Sequence, residues 1–183
     1  VTTTRERSLD AAVELVGTHG IRALTHARVD AQAHLPRGST SNHFRTRSAL
    51  LAGVAAWIAE QETRDLSAAL SRPFDDLDGF VETFSTAIEL LTGPYAVRTR
   101  ARYALFLEAA GDPDVYGPMH AQREGMATWS RNLLTSLGAR HPETATRAFM
   151  AFADGIALHR LSVDPQAPVR ESVAVAVRGC LEA

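Results

Sequence analysis

The stretch LPRGSTSNHFRTRSALL, residues 35–51, concentrates the side chains of this protein best suited to hydrogen bonding with another molecule. Arg37, Ser39, Thr40, Ser41, Asn42 and His43 follow one another closely, and Arg45 and Arg47 come just after Phe44. Guanidinium groups pair with phosphate oxygens and with guanine acceptors, while hydroxyls and amides reach phosphates or base edges. Gly38 lets a backbone approach another surface closely. Composition alone fits a surface loop of ordinary turn residues nearly as well. Position favours a short helix, because the stretch is bracketed by apolar helical segments. Around it Arg22, Arg28, Arg37, Arg45 and Arg47 stand against a single acid, Asp30.

Other chemistries find less support. Serines, histidines and aspartates occur, but without a Gly-x-Ser-x-Gly elbow or a phosphate-binding loop, so no catalytic residue is assigned and no enzyme is expected. Asp112 and Asp114 in GDPD read as turn residues. His19, His26, His34 and His43 form neither an i, i+4 pair nor a Cys/His set, so neither a metal site nor a cofactor is expected. The single cysteine, Cys180, fits a reducing compartment and reads as a small apolar residue near a helix end. The opening VTTTRERSLD has no apolar segment behind a basic start, and no apolar run approaches the ~20 residues that span a bilayer. A cytoplasmic location is expected. The net charge of −2 divides unevenly. Residues 1–50 hold 7 Arg against 4 acids and residues 51–183 hold 12 against 17, which hints at an anionic partner for the first part.

The elements that must position these groups all read as helices. Thr3 and Glu6 have capping-box spacing, Leu9, Val13 and Val16 recur on one face, and Gly20 is a stop. A brief helix over 26–33 has Thr25 as its cap and Val29 facing inward. The stretch after it takes Pro36 into the first turn of a further short helix, with Phe44 pointing back to Val13, Val16 and Val29. A long helix runs from Thr46 or Ser48 to about Leu70 and SRPFDD breaks it. Further helices are expected over 77–92, 95–109, 119–137, 143–162 and 168–182. SVAVAV (172–177) alternates like a strand, but Pro168, Glu171 and the lack of a partner strand favour helix. The expected fold is all-α with about nine helices.

Short helices separated by a tight turn are the layout of a helix-turn-helix, whose second helix enters the major groove. Residues 5–51 resemble the amino-terminal domain of the TetR family of bacterial transcriptional repressors. The resemblance lies in an amphipathic helix ending at Gly20, then LTHARVDAQAHL, PRGSTSNHF and RTRSALL. Three positions depart from the family pattern: Thr40 stands for a buried Leu, Ser41 for a Tyr and His34 for a Gly. The resemblance implies that Thr25 and His26 lie near phosphate. It puts Arg37, Ser39 and Ser41 toward the groove, and Asn42, His43 and Arg47 toward phosphates. It also implies a helix-turn-helix domain over 1–47 and a helical effector-binding and dimerisation domain over 48–183.

In that second part Phe80, Phe84, Tyr103, Phe106, Met126 and Trp129 either form core or line an apolar pocket, and the resemblance favours a small-molecule pocket. Arg98, Arg100 and Arg102 either select an anion or solvate a face, and the face is preferred. The last two helices suit either a two-fold seam or ordinary packing within the chain, and the resemblance favours the seam. Small residues Ala148, Ala151, Ala153, Gly155 and Ala157 allow close approach, and Phe149, Phe152, Ile156, Val169, Val173 and Val177 fill it. The function implied is a homodimeric repressor on a palindromic double-stranded operator, released by a small molecule. Two alternatives are an all-α carrier or enzyme, and a helical protein-interaction module, each with an amino-terminal region that does not bind DNA.

Overall fold

The computed structural model describes residues 2–70, 76–108 and 113–182, and every regular element among them is helical. In order these are α1 (Thr4–His19), a single 3-10 turn (Ile21–Ala23), α2 (His26–Gln32), α3 (Ser39–His43) and α4 (Arg47–Leu70). There follow α5 (Leu77–Thr92), α6 (Ala96–Glu108), α7 (Pro113–Ser136), α8 (Pro142–Ser162) and α9 (Val169–Glu182). The nine α-helices of the described residues are the architecture expected from the sequence. Most of the SRPFDD break, and Asp112, lie outside the described residues. No described helix is long and apolar enough to cross a membrane.

Local chemistry sets the helix starts. The Glu6 amide donates to Thr3 Oγ1 at 3.2 Å and the Thr3 amide donates to Glu6 Oε2 at 2.7 Å, closing the capping box. Bonds from the Thr3 backbone and hydroxyl hold the Glu6 carboxyl below its usual pKa. Thr25 Oγ1 accepts from the Arg28 amide at 3.3 Å at the head of α2.

Two expectations are corrected. The break expected to last until residue 118 is partly helix, since α7 starts at Pro113 and contains Pro118. Pro113 costs nothing at a first position, and Asp114 stands in the first turn as an acid at the positive helix end, not in a loop. Val115 and Met119, four residues apart on one face, are both buried, and that burial outweighs the bond Pro118 forgoes. The second correction concerns Arg102. It does not solvate a face: its Nη1 lies 3.1 Å from Oε2 of the fully buried Glu62. Arg100 is exposed and Arg98 half-buried.

Packing divides the chain into two compact units, residues 1–63 with 96–122 and residues 64–95 with 123–183. In the first, Leu9, Val16, Leu24, Val29 and Phe44 share a core with Leu50 and Val54 of α4, Leu105 of α6 and Met119 of α7. Helices α1 and α6 meet at Gly17, where any Cβ would run into the Val97 carbonyl. Packing therefore ties α6 to the amino-terminal helices, and the division after residue 47 is a proposed division of roles. In the second unit α5 packs against α8 and α9 around Phe80, Phe149, Val173 and Val177.

Candidate nucleic-acid interface

The α2–α3 corner is built on a buried carboxylate. Asp30, on the inner face of α2 and 3 % exposed, accepts from three donors at the head of α3. The Thr40 amide and Thr40 Oγ1 donate to Oδ1 at 2.8 and 2.6 Å, and the Gly38 amide donates to Oδ2 at 2.8 Å. Burial alone would push the Asp30 carboxyl up. The Thr40 hydroxyl, the Thr40 and Gly38 amides and nearby His26 together outweigh it and hold the pKa below its ordinary value.

This cap explains where α3 begins. Gly38 is its N-cap with φ 90°, a left-handed backbone that suits glycine. The helix starts at Ser39, so Pro36 precedes it and does not occupy its first turn as expected. The Pro36 carbonyl accepts from the Ser39 amide at 3.1 Å and from Ser39 Oγ at 2.7 Å. His34, at the family's glycine position, adopts φ 52°. Arg7 Nη2 donates to the Ala33 carbonyl at 2.7 Å and reaches the His34 carbonyl at 3.4 Å, fastening this turn to α1. Thr40 occupies the expected buried position, fully enclosed, with its hydroxyl satisfied by Asp30.

On the outer side Arg37, Asn42, His43, Arg45 and Arg47 are all exposed within one short segment. Ser39 and Ser41 are half-buried, and Ser41 Oγ donates to the Gly38 carbonyl at 2.9 Å. Both serine protons are thus used internally, leaving lone pairs that can accept from base amino groups. Exposed Thr25 uses its oxygen as an acceptor in the cap, so its proton is available to an acceptor outside. Arg47 Nη2 contacts the Ile21 carbonyl at 3.3 Å, leaving the rest of the guanidinium outward.

His26 is placed differently. Its Nε2 lies 2.6 Å from the Phe44 carbonyl, which can only accept, so Nε2 carries the proton. The ring ties the start of α2 to the exit of α3.

Asp30 was not assigned as a site residue from sequence. The available signal was Thr40: a hydroxyl in an apolar register needs a buried partner, and Asp30 is the one acid between Arg22 and Arg47.

The Asp30 shift has a pH consequence. A folded pKa below the unfolded one means the cap's stabilisation is fully present above the unfolded carboxyl value. It is lost as pH falls through the folded value. The stability difference between wild type and Asp30→Asn, measured by thermal unfolding, is expected to shrink across that acid window. A constant difference would mean the carboxylate charge is not what holds the corner.

Of the apolar residues expected to line a pocket, Phe80, Phe84 and Trp129 come together in the second unit. Phe84 and Trp129 stack at 17° with centroids 6.5 Å apart, and both Phe80 and Phe84 pack on Phe149 at 5.4 and 4.5 Å. Met126 is half-buried in the same unit. Tyr103 and Phe106 belong to the first unit, where Phe106 meets Tyr116 edge-on. Of the residues expected to fill a seam between two chains, Phe149, Ile156, Val169, Val173 and Val177 are buried within the single chain, and Phe152 is half-buried. An apolar stripe on a helix does not distinguish a partner in its own chain from one in another.

Comparison with known proteins places this geometry. A family profile described as tetracyclin repressor-like, C-terminal domain, matches residues 75–183. A TetR-family member from Streptomyces coelicolor A3 is 31 % identical with a TM-score of 0.73, covering 97 % of this chain and 98 % of its own. The multidrug-binding protein EbrR, in complex with ethidium, is 29 % identical with a TM-score of 0.72, at 98 % and 99 % coverage. A transcriptional regulator from Rhodococcus sp. Rha1 shares the fold at a TM-score of 0.83 with 18 % identity, covering 98 % of this chain and 97 % of its own. No curated protein matches the sequence.

Proposed function

Because the chain belongs to the TetR family of transcriptional regulators, we propose that it is a homodimeric repressor. It binds a palindromic operator through α3 and leaves it when a small molecule binds. The observation that carries this reading is the exposed row Arg37, Asn42, His43, Arg45 and Arg47 on a segment clamped from behind by Asp30. In a two-fold dimer the two recognition helices enter successive major grooves about 34–36 Å apart.

The faces of α8 and α9 turned away from the core support the dimer. Ala148, Ala151, Gly155 and Leu158 are exposed along one side of α8, and Val175 and Gly179 along one side of α9. A Cβ added at Gly155 or Gly179 would meet nothing within 4 Å, so another helix can approach closely there. The ethidium complex of the 29 % identical relative, together with the stacked Phe84 and Trp129, supports a planar aromatic effector for this chain. Such an effector releases DNA only if it binds the DNA-incompetent state more tightly.

Selection of bound duplexes from a randomised pool, followed by release with planar aromatic compounds, tests the whole reading. No enrichment would refute operator binding. Within it, Arg37→Ala and Arg47→Ala are expected to differ in kind. Arg37→Ala should cost about 1–3 kcal/mol on the selected duplex and relax base preference. Arg47→Ala should weaken all duplexes alike and reduce the salt slope by about one. An unaltered selected motif for the first, or an unaltered salt slope for the second, refutes the corresponding role.

A further inference from the structure

We propose that Asp30 and Thr40 form a buried positioning pair that sets the sequence selectivity of the recognition helix, although neither side chain faces the duplex. The proposal rests on the operator-binding reading. Asp30 is 3 % exposed and Thr40 fully buried, so neither can touch a base or phosphate without unfolding the corner. Yet both oxygens of Asp30 are spent on the three donors that define where α3 starts and how it is turned.

A helix of five residues has too few internal hydrogen bonds to hold its own geometry, so its position must come from outside. Its exit is held by Phe44, whose carbonyl accepts from His26. Its start is held by Asp30. Base readout depends on side chains held in one register, because a bidentate contact tolerates little displacement. A carboxylate gripping the Gly38 and Thr40 amides supplies that register at the end of α3 next to Arg37.

The charge of Asp30 separates positioning from attraction. A carboxylate in the same corner as Arg37, Arg45 and Arg47 lowers the positive potential of the surface, so by electrostatics alone it opposes binding to any DNA. Its removal should therefore leave affinity for arbitrary DNA unchanged or higher while selective binding falls. General destabilisation of the fold would lower both together.

The test compares affinity for the selected duplex with affinity for a scrambled duplex at one salt concentration, using the full chain. For Asp30→Ala and Thr40→Val the ratio is expected to fall by about tenfold or more, within the range spanned by the loss of one good base contact. Scrambled-duplex affinity should hold for Thr40→Val and hold or rise for Asp30→Ala. Thr40→Ser keeps the hydroxyl and should retain the wild-type ratio. If Asp30→Ala does not fold, the Thr40 pair decides. Val behaving like Ser overturns the proposal, and Val losing the ratio that Ser keeps sustains it. A wild type that selects a motif while the folded variants keep its ratio overturns this proposal alone. A wild type that selects nothing overturns the operator-binding reading and this proposal with it.

Discussion

Val175→Arg is expected to leave the protein folded and monomeric, and to reduce operator affinity by about 10²–10⁴, the range of avidity lost when two linked contacts become one. Val175 is 72 % exposed in the single chain, so an arginine there meets solvent and the fold of the protomer tolerates it. In a dimer sealed by the outer faces of α8 and α9, the same charge would be buried without a partner, which is strongly unfavourable. Val173, two residues away, makes the control. It is 0 % exposed, packed in the core against α5, and Val173→Arg should prevent folding outright. Sedimentation and circular dichroism together separate the outcomes. An intact Val175→Arg dimer would exclude this face from the interface. A folded, monomeric Val173→Arg would mean that the buried stripe, not the outer one, joins two chains.

The contrast between these two valines marks a limit of sequence reading. Helical periodicity locates an apolar stripe, and the stripe through Val169, Val173 and Val177 is where a buried face had to be. It carries no label for the chain that covers it. Exposure in the single chain leaves Ala151, Gly155, Leu158 and Val175 open to a partner. The helix starts were more legible, because capping chemistry is local: Thr3 with Glu6, and Thr25 at the head of α2, act over a few residues and leave a pattern in the sequence. The start of α7 was not legible, because the Pro113–Pro118 segment is held helical by burial of Val115 and Met119 against local preference. In the α2–α3 corner the exposure of the arginines and Asn42 could be expected from residue type and register. Asp30 could not, since an acid among arginines reads as a surface charge until its three donors are seen to converge on it.

The exit of α3 should be a sensitive packing site in the first unit. Phe44→Ala is expected to cost about 3–5 kcal/mol, the range for deleting a buried ring, and to weaken operator binding as the end of α3 loosens. Three groups converge on this residue: Arg5 lies over the ring at 5.6 Å, His26 bonds the carbonyl, and Gly53 of α4 lies directly beside the ring. A Cβ at position 53 would stand 2.5 Å from Phe44 Cε1, well inside contact distance. Gly53→Ala should therefore destabilise by about 1–3 kcal/mol through overpacking, even though alanine is the better helix former in isolation. The two positions compete for one volume, so their effects should not add. Phe44→Leu makes room near Gly53, and in the double variant the added methyl occupies space that the ring has vacated. The double variant should be more stable than the sum of the single losses predicts, by at least about 0.5 kcal/mol. Chemical denaturation of the four proteins measures this coupling directly. Strict additivity would mean that Gly53 is not shaped around Phe44. The anchoring of α3 to α4 would then have to come from the backbone at Thr46 and Arg47.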